Sequence, residues 1–326
     1  MPAHETVRLL NALLTLYYQE NLTQAEIGKR LSLSTAKVNR LLQQAREQGF
    51  VDIAIRTPFQ HLFDLETRLR AVFALQEVLV IPAVGDTRSS LLSALGSVAA
   101  DFLLDHLHDG DVLGVGGGTA VNALVRAIES ARQYHVDIVP ILGGVQGLVT
   151  TDMNYLAVQL AERLGARAYQ LHAPLFVDTA EHCETLRSMG PVKEILDIAR
   201  RANLAVLGVG TVDAKASRFV QFTALSADDM RHIAIDCCGV GEIGAHVYDR
   251  QGRPCAPEYA SRVVGLTLAE LQRIPFRIGL AATAAKALPL YGALRGRYLH
   301  ALITDETAAR GVLELFERDF QKGSLD

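Results

Sequence analysis

Three glycine-rich stretches carry the groups best suited to holding a small polar ligand. Gly114-Val115-Gly116-Gly117-Gly118-Thr119 follows an apolar run and opens an amphipathic one. Glycines let backbone amides approach an anion, a helix N-terminus adds partial positive charge, and Thr119 supplies a hydroxyl. Phosphate suits such a loop. Gly208-Val209-Gly210-Thr211-Val212-Asp213 follows a second apolar run, and Cys238-Gly239-Val240-Gly241-Glu242-Ile243-Gly244 reads as a loop with a carboxylate between glycines. Tight packing alone also produces glycine-rich turns, so each stretch taken singly allows both readings. The first lacks the G-x-G-x-x-G spacing, no acid ends the next apolar run, and no G-K-[ST] follows. Neither a dinucleotide site nor a P-loop is expected.

A second kind of chemistry gathers near the N-terminus. Ser34, Thr35, Lys37, Asn39 and Arg40 are donors and acceptors suited to base edges and phosphates, and Lys29 and Arg30 add charge. The elements that would position them are legible. Val7, Leu10, Leu13, Leu14, Tyr17 and Tyr18 recur at helical spacing, and a break follows at Glu20-Asn21-Leu22. Thr23 stands three residues before Glu26, the capping-box signature of a second helix that turns Ile27 and Leu31 inward and ends near Ser32-Leu33. Ser34 caps a third, with Val38, Leu41, Leu42 and Ala45 on its inner side, Gly49 at its end and a short strand or wing over 51–55. Ala25 falls where the second helix would approach the third, and Leu33 can fill the turn. Three short helices in this order make a helix-turn-helix layout.

Charge is divided accordingly. The chain of 326 residues carries a formal −4, yet residues 1–60 hold seven Lys/Arg against five Asp/Glu, and the remainder 25 against 31. A basic head on an acidic body fits a DNA partner for the head. Trp is absent, which excludes a carbohydrate site built on stacked indoles. The four cysteines show no C-x-x-C spacing, and adjacent Cys237-Cys238 reads as buried packing, poorly placed for a relaxed disulfide or a tetrahedral zinc site. No signal-peptide pattern, membrane-length apolar run, cofactor motif, metal-ligand spacing or catalytic constellation stands out, so a cytoplasmic protein without catalytic residues is expected.

Beyond Thr57-Pro58, residues 59–73 read as a linking helix whose Leu62, Leu65 and Leu69, if exposed, would pair with a second copy. Apolar runs then alternate with amphipathic segments: 77–82, 111–115, 136–142, 168–171, 204–209, 262–266, 277–281 and 301–303. This alternation argues for a mostly parallel sheet wrapped by helices, whose ligand loops lie at the carboxyl ends of the strands.

The stretch Leu22-Thr23-Gln24-Ala25-Glu26-Ile27-Gly28-Lys29-Arg30-Leu31-Ser32-Leu33-Ser34 closely resembles the helix-turn-helix of SorC-type bacterial transcription regulators, with Gly28 where Ala is common. The resemblance continues through the chain. It takes in the 114–119 loop, Gly143-Gly144 with Asn154, Leu171-His172-Ala173-Pro174, Leu207–Gly210, Gly241–Gly244 with Tyr248-Asp249, and Lys286 followed by 302–308. It implies a DNA-binding domain over 1–57 that reads operator DNA through Thr23, Gln24, Ser34, Thr35, Lys37, Asn39 and Arg40. It implies, over 58–326, a doubly wound α/β domain resembling sugar-phosphate isomerases and deaminases, which binds a sugar, polyol or sugar phosphate. Gly116, Gly117, Gly118 and Thr119 would meet the phosphate or hydroxyl end, Gly210 would lie near the ligand, Glu242 would accept from hydroxyls, and Lys286 would contact phosphate. A dimer or dimer of dimers is implied as well. Glu242 replaces a usual Asp, and Ala281-Ala282-Thr283 replaces a glycine-rich turn. The competing reading is an isomerase or deaminase using Glu242, Asp236 or His172 as acid and base.

Overall fold

The structure, a computed structural model, describes residues 4–51, 59–83, 87–130, 132–145, 149–213 and 225–323. The chain forms two compact units, residues 1–60 and 61–326.

In the first unit, helix α1 (His4–Leu14) runs into a π-helical turn, Thr15–Gln19, and is followed by α2 (Gln24–Leu31) and α3 (Thr35–Glu47). The small core is Leu10, Leu13, Leu16, Ile27, Val38, Leu41, Leu42 and Ala45. At about 1.5–3 kcal/mol for a fully buried Leu, Ile or Val, seven such residues and Ala45 make a small core that leaves a unit of this size little surplus. Val7 and Tyr18, expected on the inner face, are exposed. Ala25 is exposed too, and Gly28 makes the close approach instead. A Cβ there would stand 2.7 Å from the Leu33 carbonyl oxygen, while the Leu33 N–H donates to the Gly28 carbonyl at 2.8 Å. Ser32 in the left-handed region (φ 53°) turns the chain between the helices. Of the expected wing, residues 52–55 lie outside the described residues, as does Thr57-Pro58.

The second unit is built on strands β1 (Glu77–Ile81), β2 (Val112–Val115), β3 (Asp137–Pro140), β4 (Arg167–Ala168), β5 (Leu204–Thr211), β6 (Gly239–Ile243), β7 (His246–Asp249), β8 (Phe276–Leu280) and β9 (Ala301–Asp305). Seven of them form a parallel sheet in the order β1-β9-β8-β5-β2-β3-β4. The β6–β7 hairpin joins antiparallel to the end of β5, with Gly210 opposite Glu242.

Helices α4 (Gln60–Phe73), α5 (Arg88–His106), α6 (Thr119–Ala127), α7 (Met153–Leu164), α8 (Ala180–Ser188) and α9 (Gly190–Arg200) precede β5 or follow its neighbours. Short α10 (Ala227–Arg231), α11 (Pro257–Ala260) and α12 (Leu268–Gln272) come next, then α13 (Ala287–Arg295) and α14 (Glu306–Gly323). Two apolar cores sandwich the sheet. Along β5, Leu204 and Val206 join the core of α5, α6 and α7, while Ala205, Leu207 and Val209 join that of α4, α9, α13 and α14. Period-two alternation with apolar residues on both faces is what a sheet covered on both sides demands.

Three expectations change. Leu62, Leu65 and Leu69 are buried in the second unit's own core, so they are not free to pair with another copy. Residues 262–266 form isolated bridges (Leu142 with Gly265, Phe176 with Val263) in place of a strand, and pairing in 168–171 stops at Ala168. The stretch read as a third loop is largely strand β6: a Cβ on Gly241 would clash with Tyr248 and Pro289, and one on Gly239 with Val247 and Ile233.

Candidate functional site

The turn of the first unit is fixed by its caps. The Thr23 N–H and hydroxyl both donate to Glu26 Oε2 (2.8 and 2.7 Å), and the Glu26 N–H donates to Thr23 Oγ1, which holds the Glu26 carboxyl below its ordinary range. Ser34 Oγ accepts from the Lys37 N–H at 3.2 Å. Thr23 and Ser34, expected to meet DNA, thus also serve as caps. Gln24 is half-buried, while Thr35, Lys37, Asn39 and Arg40 are exposed. Asn39 and Arg40 occupy the face of α3 opposite Val38, Leu41, Leu42 and Ala45, with Thr35 and Lys37 at its flanks. Gln43, absent from the expected set, shares that face and donates to Glu47 at 2.9 Å. The 3.6-residue period alone could have found it. Arg30 pairs with Glu20 at 3.1 Å in an exposed bridge worth less than about 1 kcal/mol.

In the second unit, every glycine-loop, carboxylate and lysine position expected of the effector site lines one cleft: Gly116, Gly117, Gly118, Thr119, Gly210, Glu242 and Lys286. The cleft spans about 1010 Å³, its open mouth included. It lies where β2 and β5 sit side by side and the chain's crossings change direction, the place where doubly wound sheets bind ligands.

Its floor is set by close backbone approach. A Cβ on Gly117 would meet Met153 Sδ at 2.5 Å, and one on Gly208 would meet the Gly117 carbonyl at 2.8 Å. Gly118 (φ 112°) precedes α6 without a side-chain cap, so the first N–H groups of that helix lack intrahelical partners, and its opening residues Thr119 and Ala120 line the cleft.

Glu242 lies directly over Gly210, where a Cβ would fall 1.7 Å from Oε1. Its other oxygen, Oε2, accepts from the Ala245 N–H at 3.1 Å, leaving Oε1 for a ligand. Burial pushes this carboxyl up, with Lys286 and the Ala245 N–H pulling it back; burial pushes the Lys286 ammonium down, with Glu242 opposing and Arg88 reinforcing. Among the described residues Glu242 and Lys286 form no direct ion pair, so each keeps hydrogen-bonding capacity for a guest. The turn before Lys286 is held by Asp305, whose Oδ1 accepts from the Thr283 N–H at 2.7 Å while Oδ2 accepts from Thr307 at the start of α14.

Arg88, the first residue of α5, also lines the cleft and brings a second cation near Lys286. No local spacing marks it, because the sheet topology carries it there from far along the chain. His172 is exposed and Asp236 is paired with His232; neither lines the cleft. Cys237 is half-buried and Cys238 exposed, correcting the expectation of buried packing: their peptide lies at the start of β6, on the unit's surface.

A helix-turn-helix unit joined to a doubly wound unit with a polar, anion-suited cleft defines the class of ligand-binding transcription regulators. Residues 57–314 match the family described as "Putative sugar-binding domain", and residues 11–48 match sigma-70 region 4. Transcriptional regulator LsrR of Escherichia coli is 30% identical over 299 residues, covering 91% of this chain and 92% of that one. Erythritol catabolism regulatory protein EryD of Brucella abortus is 30% identical over 302 residues, covering 91% and 94%. The full-length sorbitol operon regulator SorC of Klebsiella pneumoniae superposes with a TM-score of 0.74 at 27% identity, covering 95% and 99%. The chain belongs to the SorC-type family of sugar-binding transcriptional regulators. Among the described residues, no helix is long and apolar enough to cross a membrane.

Proposed function

We propose that this regulator controls an operon for the breakdown of a carbohydrate or polyol and answers to a sugar, polyol or sugar phosphate bound in the cleft. The observation that carries this is the convergence of the uncapped α6 N-terminus, Lys286 and the free Glu242 Oε1 on one switch-point cleft. Gly116, Gly117, Gly118 and Thr119 take the phosphate or terminal hydroxyl with Lys286. Glu242, seated over Gly210, accepts from a ring or chain hydroxyl. Names of the relatives, which refer to erythritol catabolism and a sorbitol operon, support the substrate class.

Operator DNA is read by α3 through Thr35, Lys37, Asn39 and Arg40, with Thr23, Gln24 and Ser34 at the phosphates. The DNA-binding domain is residues 1–57 and the effector domain 58–326; the protein acts in the cytoplasm as a dimer or tetramer. Effector binding shifts the population of arrangements of the DNA heads and so the operator affinity. The isomerase reading is disfavoured because, of Glu242, Asp236 and His172, only Glu242 lines the cleft, and one carboxylate supplies no acid–base pair.

The test is thermal unfolding of the purified chain against polyols, pentoses, hexoses and their phosphates. A true effector raises the unfolding temperature at micromolar concentration and changes operator affinity in the same range. Turnover of any phosphosugar above background would reverse the assignment.

A further inference from the structure

Away from the cleft, three donor atoms of different chemistry meet on the surface of the second unit. His232 opens the π-helical turn His232–Asp236 after α10, Cys237 closes that turn, and Glu258 lies on α11. His232 Nε2 lies 3.5 Å from Cys237 Sγ and 3.5 Å from Glu258 Oε1, and Cys237 Sγ is 3.9 Å from Glu258 Oε1.

A tetrahedral ion with bonds of about 2.0–2.1 Å to nitrogen and oxygen and about 2.3 Å to sulfur separates its ligand atoms by about 3.3–3.6 Å. The observed triangle is therefore one face of such a tetrahedron to within a few tenths of an ångström. An independent feature points the same way. The remaining ring nitrogen of His232, Nδ1, is 2.8 Å from Asp236 Oδ2. A carboxylate on the far nitrogen of a ligating histidine fixes the tautomer, aims the ring and strengthens it as a donor.

The scaffold beneath is firm. Met230 and Ile233 are buried, and the buried Tyr259, next to Glu258, donates its hydroxyl to Asp229 at 2.8 Å.

We infer that His232, Cys237 and Glu258 bind a divalent transition metal of the zinc class, with Asp236 as positioning residue and the fourth position open to water. Imidazole and thiolate donors select such an ion over magnesium or calcium. Binding replaces the Cys237 thiol proton, which leaves to solvent as the metal–sulfur bond forms. Neighbouring Cys238 takes no part: its Sγ turns to the Ile235 carbonyl at 3.6 Å. Cys237-Cys238 leads straight into β6, so an ion here ties the start of the strand that carries Glu242 to α11.

The full-length chain, stripped with a chelator, is titrated with Co²⁺ as the spectroscopic stand-in. One equivalent is expected to give a thiolate-to-cobalt charge-transfer band and the strong visible absorption of a tetrahedral ion, both removed by Zn²⁺. Cys237→Ser abolishes the charge-transfer band, while Cys183→Ser and Cys238→Ser retain it. Asp236→Asn weakens Co²⁺ binding by about 10- to 100-fold yet keeps the band at saturation, an effect that a merely structural role would not give. Should Cys237→Ser fail to fold, the exposed His232→Gln must show the same loss of tight binding. A missing band, a band that survives Cys237→Ser, or an affinity unchanged in both His232→Gln and Asp236→Asn overturns the site.

Discussion

The surface proposed to read DNA draws on one short stretch of the first unit, Thr23 to Arg40, whereas the cleft of the second gathers groups from Arg88 to Lys286. In the first, two caps and one close helix crossing orient exposed side chains that have few partners of their own. In the second, backbone amides, a half-buried carboxylate and a half-buried lysine are brought together by strands β2, β5, β6 and the turn after β8. A surface that reads a long rigid polymer can be local and open. A cleft that distinguishes small polar molecules needs groups converging from several directions and partly withdrawn from water. The two are expected to fail separately.

The largest effect should come from Gly28→Val. Its Cβ would press on the Leu33 carbonyl at 2.7 Å, and that carbonyl is backbone that cannot swing aside. Overpacking of this kind costs about 1–3 kcal/mol, a large share of the stability of a unit with so small a core. Operator binding measured by fluorescence anisotropy should be lost, while effector still raises the unfolding temperature of the second unit. Loss of both would break the comparison and make the two units one cooperative body.

Lys286→Ala tests the cleft in return. Removing one charge-assisted contact of about 1.5–3 kcal/mol should weaken a phosphorylated effector by roughly 10- to 100-fold in calorimetry. Operator affinity without effector should not change. If the effector proves to be an uncharged polyol, the loss should be smaller, and the α6 N-terminus and Thr119 then serve hydroxyls.

Within the DNA-reading face, Arg40→Ala and Lys37→Ala sharpen the distinction between specificity and attraction. At the face centre, Arg40 should cost about 1–3 kcal/mol and relax preference at one operator position. Lys37, at the flank, should weaken all sequences alike and lower the salt dependence by about one counterion. A uniform loss from both would assign Arg40 to phosphate.

The same contrast explains what could be read from the chain. Thr23, Glu26 and Ser34 announce their caps within four residues, so helices α2 and α3 were legible from spacing. Most of the parallel strands were legible as apolar runs, since 77–82, 111–115, 136–142, 204–209, 277–281 and 301–303 overlap β1, β2, β3, β5, β8 and β9. By contrast, β4 shares only Ala168 with the run expected over 168–171, and 262–266 forms no strand. Strand β6 was not legible: its alternation of glycine with Val240, Glu242 and Ile243 looks like a loop. Its real cause is the close approach of Tyr248 and Pro289, which lie elsewhere in the chain. Gly116, Gly210, Glu242 and Lys286 could be grouped only through family resemblance, because their proximity follows from strand order. Arg88 escaped both routes. So did the partners of Cys237, since His232 and Glu258 stand 26 residues apart and meet only when α11 folds back beside the π-helical turn.

The smallest predicted effect bears on whether Glu242 is held by burial or by charge. Burial raises its carboxyl above the ordinary 4.5, Lys286 faces it as a cation, and Tyr248 lies buried beneath. Because the folded value exceeds the unfolded one, the folded chain retains a proton that the unfolded chain has released. The contribution of this group to stability is therefore full below about pH 4.5 and is lost as pH rises through the raised value. Glu242→Gln removes that titration. The unfolding temperature of the wild type minus that of the variant should fall by at most a few degrees from pH 4.5 upward. Glu270, pulled down to about 2 by the Thr267 N–H and Arg200, acts in the opposite sense but is common to both proteins and cancels in the difference. A difference that rises with pH would mean that Lys286 dominates and that the cleft carries a formed ion pair. A ligand hydroxyl would then have to compete with that pair for Glu242 Oε1.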